Sequence, residues 1–184
     1  MNNRFSRIRA WSPGEGIWTI KEFSGDVCRL AVGRNHIAGF RGERLEGSGL
    51  CGSALKEPRF FWISRSDGKV REGPVLPAEE MSAWNMATND HFTAATTALS
   101  PNKGIPHDER TRVTLIRHSD GKMRQFTMPP TGYSMGKTTV ALDDEYLYFT
   151  RWNSCPGEHS FDRVFRHRLD LFDEIGIPYP PESD

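Results

Sequence analysis

Six histidines, three cysteines and 24 acidic side chains carry whatever side-chain chemistry this 184-residue sequence can do. The segment His107-Asp108-Glu109, the pair Glu158-His159 and Cys155 together offer imidazole, carboxylate and thiolate, all of them zinc donors. Their spacing follows no ligand pattern, and Cys28, Cys51 and Cys155 form no CxxC pair. A Cys–His nucleophile pair built from Cys51 or Cys155 with His107 or His159 would need an activated thiolate. No neighbouring residue supplies one. Asp143, Asp144 and Glu145 lack the alternating oxygen ligands of a calcium loop and read as a hairpin turn. Gly47-Ser48-Gly49 and Gly52-Ser53 lack the Gly-Lys-Ser/Thr of a phosphate loop. The expectation is therefore no catalytic residue, no metal and no cofactor. What remains is recognition. Arg151-Trp152 pairs two residue types enriched at binding hot spots. With Arg44, His107, Arg110, Glu158 and His159 it makes up the candidate binding set.

These candidates fall in three long connections, and a repeat determines where the connections are. Arg59-Phe-Phe-Trp-Ile-Ser-Arg-Ser-Asp-Gly-Lys69 is echoed by Arg112-Val-Thr-Leu-Ile-Arg-His-Ser-Asp-Gly-Lys122. Each is an apolar run followed by a tight-turn sequence. Before each run stands a hairpin pattern, in which a short apolar stretch, a polar turn and a second apolar stretch follow one another. The turns are Gly33-Arg-Asn-His36, Thr88-Asn-Asp-His91 and Leu142-Asp-Asp-Glu145, which sets His36 and His91 at equivalent, structural positions. Asn and Asp suit such turns because they tolerate left-handed backbone and bond their own main chain. The repeats cover about 28–77, 84–129 and 137–178 of a single β domain, 1–184, with 1–27 as an N-terminal strand region. In the third copy Leu171-Phe-Asp-Glu174 stands where Ser-Asp-Gly-Lys is expected. Trp62 and Trp84 lie within strand patterns and read as core, while His118 and His167 belong to no motif.

Four short strands recurring at a period of roughly fifty residues resemble the blades of a β-propeller. The hairpin Val140-Ala-Leu-Asp-Asp-Glu-Tyr-Leu-Tyr-Phe-Thr150 is especially similar to a propeller's inner hairpin. The resemblance is to an architecture and covers about 28–178. It implies an all-β, small propeller-like array of three to four four-stranded antiparallel blades. An N-terminal strand around Ile17–Phe23 is expected to pair with the last repeat and close it, or a second chain completes the ring. With strands A to D in each blade, the A–B and C–D turns share one face and the B–C connections the other. The turns are short and stereotyped. The connections 41–58, 97–111 and 151–162 are long and dissimilar, so function is expected on their face.

Net charge is zero and the pI about 7.0, so there is no basic field for nucleic acid. No run of eighteen apolar residues is present, so no membrane helix is expected. The opening Met1–Ala10 lacks the apolar run of a signal peptide, and a reducing, bacterial-style cytoplasm is the expected compartment. The resulting expectation is a non-catalytic protein whose partner is another protein, with an immunity or inhibitor protein for a toxin or enzyme as one form. A lectin-like propeller holding sugar on Trp152, and a hydrolase built on His107, Glu158 and His159, are the alternatives.

Overall fold

The structure, a computed structural model, describes residues 5–44, 55–76, 80–81, 85–99, 111–127, 139–152, 162–174 and 177–179. These residues are almost all strand and contain no α-helix; a 3-10 turn at Leu169–Leu171 is the one helical element described. Strands β1 (Phe5–Ser12) and β2 (Gly16–Ser24) form a hairpin. Strands β3 (Asp26–Val32), β4 (His36–Arg44), β5 (Leu55–Ser64) and β6 (Val70–Val75) form a four-stranded antiparallel meander in chain order. The second unit contains β7 (Glu80–Met81), β8 (Met86–Thr88), β9 (Phe92–Leu99), β10 (Thr111–Arg117) and β11 (Met123–Thr127). Here β7 and β8 both pair with β9, and the meander continues through β10 to β11. The third unit has β12 (Val140–Leu142), β13 (Tyr146–Trp152) and β14 (Asp162–Arg168). Strand β15 (Ile177–Tyr179) returns to pair with β11 of the second unit.

The repeat is visible in the hydrogen bonds. Each A–B turn closes with one backbone bond: Gly33 N to His36 O at 2.8 Å, Asn89 N to Phe92 O at 3.0 Å, and Asp143 N to Tyr146 O at 3.1 Å. Each third strand then ties back to that turn, through Arg65 N to Asn35 O, His118 N to His91 O and Leu169 N to Glu145 O, all 2.8 Å. This equivalence corrects the sequence alignment by one residue in the first copy. His36 matches Phe92 and Tyr146, and His91 matches Asn35. In the later copies an Asx side chain makes the turn: Asn89 Oδ1 accepts from His91 N and Phe92 N, and Asp143 Oδ1 from Glu145 N and Tyr146 N. The first copy has Gly33 there, so the side-chain signal that fixes the register is missing.

Sheets pack face to face, and strand alternation decides which neighbour each residue meets. Along β5, Phe60 and Trp62 join Ala95, Ile116 and Met123 of the second blade in one cluster. Phe61 and Ile63, pointing the other way, join Ile8 and Phe23 of the N-terminal hairpin. Along β10, Val113 and Leu115 meet Leu147, Leu169 and Phe172 of the third blade. Burial on both faces is why these strands read as continuous apolar runs rather than alternating ones. A fully buried Phe or Leu contributes roughly 1.5–3 kcal/mol over an exposed one, so these seams hold the blades together. The result is a propeller-like series: hairpin, first blade, second blade, third blade.

Closure by the N-terminus does not occur among the described residues. Residues 16–24 pair with 5–12, and the hairpin packs on the first blade, in the place a preceding blade would occupy. The physical reason is local: Glu15 sits in a tight turn, with its N–H bonded to Ser12 Oγ, so the two strands find each other first. Strand pairing also runs further into the expected B–C connections than the sequence suggests, to Arg44 and from Leu55 in the first blade.

Candidate functional site

Side-chain bonds between neighbouring turns align the blades. Asn35 Nδ2 donates to Asp90 Oδ2 at 2.8 Å, linking the first A–B turn to the second. Asn89 Nδ2 donates to the Asp143 carbonyl at 2.6 Å, linking the second to the third. The three A–B turns therefore share one face, and the strand ends that lead into the B–C connections share the opposite one. On the turn face the two Ser-Asp-Gly-Lys sequences adopt the same conformation. Gly68 and Gly121 have φ of 67° and 72°. Lys69 N and Lys122 N bond Asp67 Oδ1 and Asp120 Oδ1, both at 3.1 Å.

A cleft of about 550 Å³ opens on this turn face between the first and second blades. Its inner wall is His118, 6% exposed, whose ring stacks on Trp62 with centroids 5.1 Å apart. The His36 ring meets it edge-on at 4.9 Å. His118 Nε2 lies 2.8 Å from Thr93 Oγ1, and Nδ1 lies 3.3 Å from the Asp90 carbonyl. A carbonyl only accepts, so Nδ1 carries the proton and Nε2 accepts from the threonine hydroxyl. Burial, and next the neighbouring His36, push the His118 pKa down to about 4, which keeps the ring neutral.

Most charged groups around the cleft are already engaged. Arg117 forks between Asp120 and Asp173, at 2.6 and 2.7 Å, and both carboxylates hold its pKa up. A hydrogen bond from Ser64, then the Lys69 N–H, hold Asp67 at about 2. Lys69 Nζ lies 3.1 Å from the same carboxylate, while the lysine is 82% exposed. Arg71, beside Trp62 on the edge strand β6, has no hydrogen-bond or ion-pair partner among the described residues. Two buried polar atoms in the lining residues likewise lack a partner among the described residues: His36 Nδ1 and Asp90 Oδ1.

The opposite face is described only at its strand ends. Arg44 ends β4, and Arg151 and Trp152 end β13, paired with Arg163 and Asp162. His107, Arg110, Glu158 and His159 lie outside the described residues, as do Trp84, Cys51 and Cys155. A smaller cleft of about 330 Å³ lies at this end of the first blade, where Arg41 and Arg59 both pair with Glu72. Among the described residues no three His, Cys, Asp or Glu side chains gather as metal ligands. Of these two clefts, the larger lies on the turn face, expected to be plain. No motif marked it, because its walls come from two copies of the repeat; the signals within reach were three histidines close to turns.

No family model matches the chain, and no curated protein matches it. Among solved structures, the chain is similar to the N-terminal domain of Nup159, at 9% identity with a TM-score of 0.43, over 87% of this chain and 39% of that one. It is also similar to a D477G ACO/RPE65 chimera, at 10% identity with a TM-score of 0.46, over 83% of this chain and 40% of that one. The chain spans about two-fifths of the length of each. Both TM-scores are below 0.5, so the architecture rests on the strand pairing described above.

Proposed function

We propose that this chain is a non-catalytic binding protein that meets another protein through the face bearing the B–C connections. The observation that carries the reading is the division of the scaffold into two faces. Turn-to-turn hydrogen bonds fix one face as short and uniform. The three dissimilar connections leave from strand ends on the other, and variable loops on a rigid frame are the common seat of recognition. An immunity or inhibitor protein acting on a toxin or enzyme is the concrete form we favour, in a cytoplasmic setting. Assembly with a second copy would complete a series that has three blades and a hairpin. The lectin-like reading is weaker because three unlike connections do not repeat one pocket.

The test uses proteins recovered from the source organism with the wild-type chain as bait, followed by measured affinity for the recovered partner. Trp152→Ala and Arg151→Ala should each weaken binding by about thirtyfold, the equivalent of ~2 kcal/mol for a hot-spot residue. Arg71→Ala, on the turn face, should leave that affinity within about twofold, a difference below ~0.5 kcal/mol. Loss of binding in Arg71→Ala with retention in the other two variants would reverse the assignment of faces.

A further inference from the structure

We propose that the cleft between the first and second blades is a binding site for a small ligand bearing an oxyanion next to a hydroxyl, such as a hydroxy acid or a polyol phosphate. The site is separate from the B–C face and does not depend on the function proposed for it. Its volume, about 550 Å³, falls within the roughly 300–1,000 Å³ of small-molecule sites. Its wall is held firmly: His118 is locked by Thr93, the Asp90 carbonyl and Trp62, so the cleft exists before any ligand arrives. That lowers the ordering cost of binding.

The balance of donors and acceptors points to the ligand. Asp67 is saturated by its own turn, and Arg117 by Asp120 and Asp173. Among the described residues the uncommitted charge in the lining is Arg71, a planar fork matched to two oxygens of a carboxylate or phosphate. Lys69 stands nearby, well exposed, with its ammonium paired to Asp67. Among the described residues no ion pair joins Arg71 to Asp90, whose Oδ2 is taken by Asn35. An oxyanion therefore meets the guanidinium of Arg71. The hydroxyl follows from the two buried atoms without partners, Asp90 Oδ1 and His36 Nδ1. A buried polar group without a partner is costly to leave so. Asp90 Oδ1 can only accept, so its missing partner is a donor. A bare anion would face that oxygen unfavourably, whereas a hydroxyl on the adjacent carbon would satisfy it after a small side-chain adjustment.

Titration followed by backbone amide NMR tests the proposal, using the whole chain with glycolate, glycerol 3-phosphate, acetate, inorganic phosphate and glycerol as probes. One of the two hydroxylated oxyanions should bind saturably, and which one does separates carboxylate from phosphate chemistry. Its shifts should concentrate at 36, 71, 90–92 and 117–119. Acetate or phosphate should bind more weakly than its hydroxylated counterpart, and glycerol not at all. Arg71→Gln, on an exposed edge position, should reduce affinity at least about tenfold while leaving the spectrum folded. Asp90→Asn, which can still accept from Asn35, should weaken preference for the hydroxylated probe over its plain analogue. The site is refuted if no probe saturates in the millimolar range, or if the shifts spread over surface arginines and persist in Arg71→Gln.

Discussion

His118 shows how one residue ties the repeat together. It lies in a turn of the second blade, stacks on Trp62 of the first, and takes the hydroxyl of Thr93 in its own blade. Its folded pKa of about 4 sits below the ordinary 6.5 of an unfolded chain. Between those values the unfolded state binds the extra proton, so stability is complete above pH 6.5 and falls as pH drops towards about 4. The full swing is on the order of 3 kcal/mol, since each unit is ~1.4 kcal/mol. Urea unfolding across this window should show that slope. His118→Gln should be less stable near neutrality but should lose most of the slope, with a remainder from His167, whose pKa burial also lowers. An unchanged slope in the variant would mean that the proton enters elsewhere. None of this was legible in the sequence, where His118 belonged to no motif. Its partners, Thr93, Asp90, Trp62 and His36, all lie in other strands or turns, and burial is a property of the packed blades, not of the string.

At the scale of the element, the Ser-Asp-Gly-Lys turns were fully legible because turn chemistry is local. An Asx bond to the Lys N–H and a glycine at positive φ need only four residues. The A–B turn of the first copy was less legible. With Gly33 in place of Asn89 or Asp143, nothing in the sequence marks which residue starts the turn, and aligning on His36 and His91 slips the copy by one. The glycines also separate two kinds of constraint. At Gly68 and Gly121 an added Cβ meets nothing within 4 Å, so alanine there costs only the left-handed backbone, roughly 1 kcal/mol in each. At Gly39 the same Cβ would lie 2.7 Å from the Phe61 ring and 2.9 Å from the Arg29 carbonyl. Gly39→Ala should therefore destabilise by more than either turn variant, on the order of 2–3 kcal/mol from overpacking. Chemical denaturation of the three variants measures the order directly. Equal losses for Gly68→Ala and Gly121→Ala would reflect the identity of the two turns.

At the scale of the molecule, the architecture was legible but its ends were not. The repeat implies blades, and alternate residues of β5 and β10 do face two neighbours each. How a series of blades ends depends on which edge finds which partner, and that is a competition between distant segments with no local signal. The N-terminal segment pairs with itself across a short turn. The C-terminal segment passes its own blade and adds β15 to the outer edge of the second, pairing Ile177, Pro178 and Tyr179 with Gln125, Arg124 and Met123. Arg124 also reaches the Asp173 carbonyl at 2.9 Å, and Arg117 the Asp173 carboxylate, so the third blade is strapped to the second by its own tail. Cutting the chain after Glu174 removes the strand and leaves the edge of β11 bare, an edge that invites pairing with other chains. The shortened protein should unfold at lower denaturant and lose exchange protection at the amides of 123–127, while those of 60–63 in the first blade remain protected. It should also self-associate at concentrations where the full chain does not, as light scattering would reveal. If protection at 123–127 survived the truncation, β15 would be a passive passenger on that edge, and the Arg117–Asp173 pair with the Phe172 packing would be what holds the third blade in place.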